Sequence, residues 1–326
     1  MQTKLATFVP RRGLSGGHRQ TLASFFFPRS FKLPPAEARY VEVEAGVQVL
    51  VHCHWQSERQ NALTLIIVHG LEGSSDSTYM LGIAAKGLAL GMNVVRMNQR
   101  NCGGTEALAP TLYHSGRSQD VAAVAQNLIE QDHISRFALA GFSMGGNLVL
   151  KLAGEWGSTG PQQFRAVAGV CPAINLAASA DALHLRSNRL YEQYFLWNLG
   201  RRLRTKARLF PGAFDTSRLR GIRSLREFDD RITAFYCDFA GADDYYDRAA
   251  AARVIDRIAV PTFILNAAND PFIRILPETR RKIVDNPHIT FVETADGGHC
   301  SYLADPNGSS DGRWAESQIV EFLRAM

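Results

Sequence analysis

The stretch Arg136-Phe137-Ala138-Leu139-Ala140-Gly141-Phe142-Ser143-Met144-Gly145-Gly146-Asn147 decides the fold of this chain. Its first half is an apolar run typical of a buried strand, and a helical pattern begins at Met144. Between the two lies Gly-x-Ser-x-Gly, with Ser143 at its centre. A sharp turn from strand to helix strains the serine backbone and lifts the hydroxyl clear of the sheet edge. The pattern predicts that Ser143 is a nucleophile; the alternative is an incidental serine in a glycine-rich connection.

The composition is that of a water-soluble globular protein. The chain has 326 residues, with 46% hydrophobic and 21% charged residues, which suits one α/β domain with an insertion. No apolar run approaches the roughly 18 residues of a membrane span, and the apolar stretch 22–27 is too short for a secretory signal. Five scattered cysteines favour reduced thiols over disulfides, so we expect a cytoplasmic protein.

Positive charge is concentrated in two segments of the chain. Residues 1–40 carry seven Lys or Arg and one acid, and residues 184–232 carry twelve Lys or Arg and five acids, within a net charge of +5. Such segments are expected to form a solvated surface, and the alternative is weak, salt-sensitive contact with an anionic membrane. No recognition motif accompanies the charge, so we expect no nucleic-acid partner. The sequence leaves the oligomeric state open.

Segments of strand type and helix type alternate along most of the chain. Predicted strands are 40–44, 47–52, 63–68, 92–97, 137–142, 164–170, 261–266 and 288–293. Predicted helices are 78–90, 118–132 and 311–325. This alternation predicts an α/β fold, with a mostly parallel central sheet flanked by helices.

The alternation divides the chain into three parts. Residues 1–38, rich in Arg, Gly and Pro, are expected to form an irregular arm packed on the core. Residues 39–176 and 256–326 form the predicted α/β core. Residues 177–255 interrupt the strand rhythm with arginines and with aromatics at helical spacing, which predicts an inserted helical cap. Its aromatics are expected to form the cap's own core, to line an acyl pocket, or both.

A serine hydroxyl becomes nucleophilic only when a base accepts its proton, and the base needs an orienting acid. His299 follows the last predicted strand in a glycine loop, and Asp270 follows the strand before it. Residues past the carboxyl ends of strands face ligands in open α/β sheets. We therefore expect His299 as the base and Asp270 as the acid. Asp296 is the second candidate acid, although its closeness to His299 suits a turn better. Ser, Asp, His is the chain order of α/β-hydrolases.

The oxyanion formed during acyl transfer needs preorganised hydrogen-bond donors. One is expected to be the backbone N–H of Met144, just after the nucleophile. The other is expected from Leu71, in the loop His69-Gly70-Leu71-Glu72-Gly73 that follows the strand at 63–68. His69 ends that strand, and this position suits shaping of the loop better than catalysis.

No set of residues in the sequence predicts a metal site. His52-Cys53-His54 looks similar to a metal motif, but strand alternation puts both histidines on one face with no third ligand apparent. Cys300, next to His299, is either a packed thiol or a redox-sensitive one. We therefore expect catalysis without a metal or other cofactor.

Several motifs together resemble those of the YheT-like α/β-hydrolases, relatives of the yeast medium-chain ethyl-ester esterases and of ABHD-type lipid hydrolases. Together they extend over nearly the whole length of the chain. They lie at residues 16–21, 69–73, 100–103, 113–116, 141–147, 226–230, 270–272 and 297–299. The resemblance implies a serine carboxylesterase without a cofactor, with Ser143 as nucleophile, Asp270 as acid and His299 as base. The loop at 98–102 departs from the family's Arg-Gly-x-x-Gly type, which leaves the pocket wall open.

The expected function is therefore cleavage of small carboxylic esters of short- to medium-chain acyl groups through an acyl-enzyme. Two alternatives remain at this stage. The same triad in an acyltransferase would pass the acyl group to an alcohol, and only the exclusion of water separates the two activities. A binding protein with the hydrolase fold and no turnover is the other, although binding alone does not require three matched residues.

Overall fold

The central element of the computed structural model, which describes residues 7–27, 29–308 and 310–326, is an eight-stranded sheet. Its strands are β1 (Glu37–Glu44), β2 (Val47–His54), β3 (Thr64–Val68), β4 (Asn93–Met97), β5 (Phe137–Phe142), β6 (Phe164–Val170), β7 (Thr262–Ala267) and β8 (Ile289–Thr294). They lie in the order β1-β2-β4-β3-β5-β6-β7-β8. The pairs β1–β2 and β2–β4 are antiparallel, and all other neighbours are parallel. The predicted fold class, a mostly parallel sheet flanked by helices, is confirmed.

Ten α-helices connect and cover these strands within the described residues. They are α1 (Gly17–Phe26), α2 (Thr78–Ala89), α3 (Ser118–Asp132), α4 (Met144–Trp156), α5 (Leu176–Leu183), α6 (Arg189–Leu209), α7 (Leu225–Phe228), α8 (Ala242–Ala249), α9 (Pro277–Asp285) and α10 (Trp314–Arg324). A π-helical segment, Asp229–Ala234, continues α7. None of the described helices is long and apolar enough to cross a membrane.

The central strands are apolar on both faces because helices cover both. In β3, Leu65 and Ile67 belong to one apolar cluster, whereas Ile66 and Val68 belong to the cluster on the opposite face. Side chains alternate between faces along a strand, so an uninterrupted apolar run supplies two cores at once. Because these strands are parallel, their carboxyl ends lie at one common edge of the sheet. The loops that carry the predicted site residues begin at that edge.

The N-terminal arm contains a helix, so the prediction of an irregular arm is wrong for α1. Its first residue, Gly17, lies so close to the loop after β7 that an added Cβ would be 1.9 Å from the Asn269 carbonyl oxygen. The Gln20 side chain donates to the Leu303 carbonyl at 3.0 Å and accepts from the Leu303 N–H at 2.8 Å. Contacts this distant in sequence leave no local pattern. Residues 1–6 and 28 of the predicted arm lie outside the described residues.

Residues 177–255 contain most of α5, all of α6 to α8 and the π-helical segment, and none of the eight strands. The longest helix, α6, is tied to the core: its Lys206 ammonium contacts the side-chain oxygen of Asn101 at 3.0 Å. Its Arg202 pairs with Glu72, in the loop after β3, at 3.0 Å. This segment therefore lies against the loops at the carboxyl edge of the sheet.

Two helical glycines allow a matched test of these close approaches. A Cβ at Gly154 in α4 would lie 2.3 Å from the Val254 carbonyl oxygen, whereas one at Gly200 in α6 would meet side-chain atoms of Arg204 at 3.4 Å and Leu219 at 3.9 Å. We expect Gly154→Ala to lower the free energy of unfolding by about 1–3 kcal/mol because rigid backbone must shift. Gly200→Ala should raise it by up to about 1 kcal/mol, since alanine is the better helix former.

Urea unfolding followed by circular dichroism measures both changes. Equal effects of the two substitutions would contradict the close packing of α4 against the segment around Val254.

Candidate active site

Ser143 lies at the turn between β5 and α4 in a backbone conformation that is unfavourable for any residue but glycine. Its φ is 53° and its ψ is −117°. The turn closes because its flanking glycines touch backbone: a Cβ on Gly141 would be 2.2 Å from the Gly145 carbonyl oxygen. A Cβ on Gly145 would be 2.3 Å from the carbonyl oxygen of Val68 in β3. The Ser143 N–H donates to the Val170 carbonyl at 2.9 Å. Strand, helix and neighbouring strands together hold the strained turn.

His299 and Asp270, distant in sequence, are joined by a hydrogen bond. The Nδ1 atom of His299 lies 2.8 Å from Oδ2 of Asp270. The other carboxylate oxygen accepts the N–H groups of Phe272 and Ile273 at 3.0 and 2.9 Å. Burial pushes the pKa of Asp270 upward, but the charge and hydrogen bond of His299 and these two N–H groups bring it below its usual value. A buried, ionised Asp270 is thus suited to orient the imidazole.

A chain of contacts links Nε2 of His299 to the turn that carries Ser143. The Nε2 atom lies 3.8 Å from the Cys300 Sγ, which lies 3.5 Å from the Val170 carbonyl oxygen that also accepts the Ser143 N–H. None of the hydrogen bonds found between described residues joins the Ser143 hydroxyl to His299. Catalytic hydrogen bonds are often long before substrate binds.

Asp296, the second candidate acid, binds a different part of the chain. Its Oδ2 accepts the Ser15 hydroxyl at 2.7 Å and the Gly16 N–H at 2.8 Å. Its Oδ1 accepts the side-chain amide of Asn269 at 2.8 Å and the Gly297 N–H at 2.7 Å. These four donors occupy the carboxylate and anchor the N-terminal arm to the loop that carries His299.

The loop after β3 brings a free backbone donor to the serine. An added Cβ on Gly70 would be 3.2 Å from the Ser143 Cβ, so the loop touches the turn. The N–H groups of Gly70, Glu72 and Gly73 already have acceptors, at 3.0, 3.3 and 3.1 Å. The Leu71 N–H has no acceptor among the described residues. Met144 opens α4, where backbone N–H groups are likewise left over.

His69 supports this loop from inside the protein. It is fully buried, its Nδ1 contacts the Gly70 carbonyl at 2.7 Å, and its Nε2 accepts the Gln99 N–H at 3.1 Å. Burial lowers the pKa of His69 to about 4, so the imidazole is neutral at physiological pH. Its position matches the expectation of a loop-shaping residue.

The loop after β3 also carries an ion-paired cluster that the sequence did not predict. Glu72, at a φ of 57°, accepts the Tyr113 hydroxyl at 2.5 Å and pairs with Arg202 of α6 at 3.0 Å. The only sequence signal was an acid inside the loop motif, and its partners lie 41 and 130 residues away. The cluster fixes the loop that carries Leu71 to the cap.

A narrow cavity of about 90 Å³ opens beside Ser143. Its walls are mostly apolar and come from both core and cap, including Leu71, Met144, Leu176, Leu183, Phe195, Leu199, Leu225, Phe272 and Ile273. Polar groups also line it, among them Asp229, Thr233, Tyr245 and Tyr246. Burial raises the pKa of Asp229 to about 6, although the hydroxyls of Thr233 and Tyr246, each at 2.7 Å, counteract part of that rise.

The three cap aromatics at helical spacing have different environments. Phe195 lines the cavity and packs against Phe272. Tyr194 and Trp197 are 53% and 62% exposed and do not line it. Helical spacing indicated that they share one helix but not which of them faces the core, because that depends on how α6 is docked.

One group of side chains at the site has metal-ligand chemistry. Cys171, His299 and Cys300 place their ligand atoms within 4.8 Å of one another, the only such group of three within the described ranges. Cys171 follows β6, 129 residues before Cys300, so spacing along the chain did not reveal it. In the His52-Cys53-His54 motif, His54 is buried beside Arg96 and joins no such group in the same ranges.

Comparison with known proteins shows the family to which the chain belongs. The α/β hydrolase fold family matches residues 64–306. A protein of Escherichia coli (strain K12) with the provisional name esterase YheT is 30% identical over 322 residues, 98% of this chain and 93% of that protein. Phospholipase ABHD3 of Mus musculus is 31% identical over 244 residues, 74% of this chain and 58% of that protein.

Among solved structures, the Pyrococcus furiosus esterase Pf2001 matches with a TM-score of 0.57, covering 91% of this chain and 98% of that chain. The identity of 15% is so low that this likeness shows the shared fold alone. The family match and the sequence relatives confirm the resemblance and the predicted enzyme class, the carboxylic ester hydrolases. The chain therefore belongs to the α/β-hydrolase family, among its YheT-like members.

Proposed function

We propose that the protein is a serine hydrolase that cleaves carboxylic esters of short- to medium-chain acyl groups through an acyl-enzyme. The observation that carries this proposal is the 2.8 Å contact between His299 and the buried Asp270. It lies at the same sheet edge as Ser143, which has a strained backbone conformation in the turn between β5 and α4. Three loops from three different strands converge there, and a structural role would not require that convergence.

In the proposed reaction Ser143 attacks the ester carbonyl while Nε2 of His299 accepts the hydroxyl proton. Asp270 keeps the proton on Nδ1 and stabilises the imidazolium that forms. The Leu71 and Met144 N–H groups donate to the oxyanion of the tetrahedral intermediate. His299 then returns the proton to the departing alcohol, and a water molecule hydrolyses the acyl-enzyme by the same steps.

The size and walls of the cavity support the proposed substrate class. At about 90 Å³ it is well below the roughly 300–1,000 Å³ of typical drug-sized ligand sites, and its walls are mainly aliphatic and aromatic. Asp229 carries a buried carboxyl group, which a long alkyl chain would have to desolvate further. These features favour a short or medium acyl chain over a long one.

The first test replaces the nucleophile. Ser143→Ala should lower kcat for p-nitrophenyl butyrate by about 10⁶-fold, since the group that forms the acyl-enzyme is lost. A fluorophosphonate should label the wild-type chain and not this variant. Ser179→Ala is a matched control for labelling, because Ser179 lines the same cavity but is not the proposed nucleophile and should leave the fluorophosphonate reaction intact. Labelling that persists in Ser143→Ala would refute the assignment of the nucleophile. Alcohols added to the wild-type assay would reveal any transfer of the acyl group to an acceptor other than water.

The second test separates the two candidate acids. Asp270→Asn should lower kcat by about 10⁴-fold, because the amide no longer holds the imidazole in the required tautomer. Asp296→Asn should leave kcat within about tenfold of wild type, since the Asp296 carboxylate bonds to the arm, to Asn269 and to its own loop, and not to the His299 ring. Steady-state kinetics measure both variants after circular dichroism has established their folding. The reverse ranking would show that the acid is Asp296.

The third test asks whether the cap sets acyl-chain preference. Phe195→Ala should move the maximum of kcat/KM towards longer esters, because each additional buried CH₂ contributes about 0.8 kcal/mol, or roughly fourfold. Trp197→Ala, a truncation on the same helix outside the cavity, should leave the profile unchanged. Kinetics on p-nitrophenyl esters of increasing chain length supply both profiles. An unchanged profile in Phe195→Ala would place the acyl pocket elsewhere.

A further inference from the structure

Two thiols lie beside the imidazole of His299 at the edge of the sheet. Cys171 directly follows β6, and Cys300 directly follows His299. The Cys300 N–H donates to the Cys171 sulfur at 3.4 Å, which holds the two loops together. Cys171 is fully buried, whereas Cys300 is half-buried. The proposed ester hydrolysis uses neither thiol.

The spacing of the three ligand atoms is close to that of a tetrahedral zinc site. With Zn–S of about 2.3 Å and Zn–N of about 2.0–2.1 Å, neighbouring ligand atoms in such a site lie roughly 3.6–3.8 Å apart. The Cys300 sulfur is 3.8 Å from Nε2 of His299, and all three atoms lie within 4.8 Å of one another. Small side-chain rotations would bring them around one ion.

The outer contacts of the group also match those of a metal site. A metal-binding histidine usually donates its second ring N–H to a carboxylate, which fixes the tautomer and raises the basicity of the ligand nitrogen. Asp270 makes this contact with Nδ1 of His299, leaving Nε2 directed towards the thiols. The buried Tyr302 hydroxyl lies 3.7 Å from the Cys171 sulfur. These partners hold two of the three ligands in place.

We propose that Cys171, Cys300 and His299 form a binding site for Zn²⁺ that inhibits the enzyme. On binding, each thiol loses its proton to solvent and donates a sulfur lone pair, and His299 donates the lone pair of Nε2. That lone pair can then no longer accept the Ser143 proton, so the inhibitory consequence rests on the proposed role of His299, whereas binding itself does not. Two sulfur ligands favour Zn²⁺ over Mg²⁺ or Ca²⁺, which take oxygen ligands.

Binding is tested directly with Co²⁺ as a spectroscopic substitute for Zn²⁺. The purified full chain, kept reduced with a phosphine, should take up one Co²⁺ and develop thiolate-to-cobalt charge-transfer absorption in the near ultraviolet. Cys171→Ala and Cys300→Ala should each weaken that absorption strongly. Cys237→Ala removes a half-buried thiol outside the group and should leave the spectrum unchanged. Absence of the absorption in the reduced wild-type chain would overturn the site.

Inhibition is tested by hydrolysis of p-nitrophenyl butyrate in Zn²⁺ buffers, with each variant compared only with itself. Zn²⁺ should inhibit the wild type reversibly, EDTA should restore activity, and Mg²⁺ should have no effect. Cys171→Ala and Cys300→Ala should each raise the half-inhibitory Zn²⁺ concentration by about 100-fold. Removing an outer-shell partner already lowers metal affinity by about 10–100-fold, and removing a ligand should cost at least as much. Cys237→Ala should not change it.

The two measurements distinguish failure of the site from failure of the proposed function. Cysteine-dependent Co²⁺ absorption in a chain that Zn²⁺ does not inhibit would overturn the inhibitory role and also count against His299 as the base. Inhibition that survives both Cys171→Ala and Cys300→Ala would overturn the site, even if ester hydrolysis depends on Ser143 and Asp270 as proposed.

Discussion

The close backbone contact at the turn between β5 and α4 is the constraint on which the site depends. Gly145 lies against the carbonyl of Val68, and Gly141 lies against the carbonyl of Gly145, at distances that exclude any side chain. These contacts hold Ser143 at a positive φ, the conformation that directs its side chain away from the sheet. The same proximity brings the loop after β3 to the serine, so one packing requirement positions both the proposed nucleophile and the proposed Leu71 donor.

Elements outside the central sheet stabilise the loops that carry the chemistry. In the N-terminal arm, the Thr21 hydroxyl accepts the His299 N–H at 2.8 Å, and Gly17 lies against the backbone of Asn269, next to Asp270. In the cap, Arg202 pairs with Glu72 of the loop after β3. Loops are the most mobile parts of a fold, and the bonds from the arm and from the cap reduce the conformational freedom of the loops at this site. The arm and the cap thus both help to position these loops, and the cap also supplies walls of the cavity.

The same crowding has a second consequence at the carboxyl edge of the sheet. In the proposed triad His299 lies near both Ser143 and Asp270, and the residues adjoining those loops are brought together with it. Cys171 and Cys300 are two such neighbours, and their sulfurs lie beside the nitrogen that the proposed mechanism needs free. An imidazole oriented by a carboxylate is suited both to general-base catalysis and to metal ligation. In the two proposals, the Ser143 proton and a Zn²⁺ ion therefore compete for the same lone pair of Nε2.

The sequence by itself determined the strands, the main helices and the fold class, because apolar periodicity and the Gly-x-Ser-x-Gly turn are local properties. The family followed from the resemblance of several motifs along the chain to those of YheT-like hydrolases. It also named the residues that the structure brings to one edge, since each follows its own strand. Only the tertiary structure decided that α1 is helical and docked, that Phe195 rather than Trp197 faces the cavity, that Asp296 binds the arm, and that Cys171 meets Cys300. Each of these depends on contacts between residues far apart in the chain, and such contacts leave no periodic signal in the sequence.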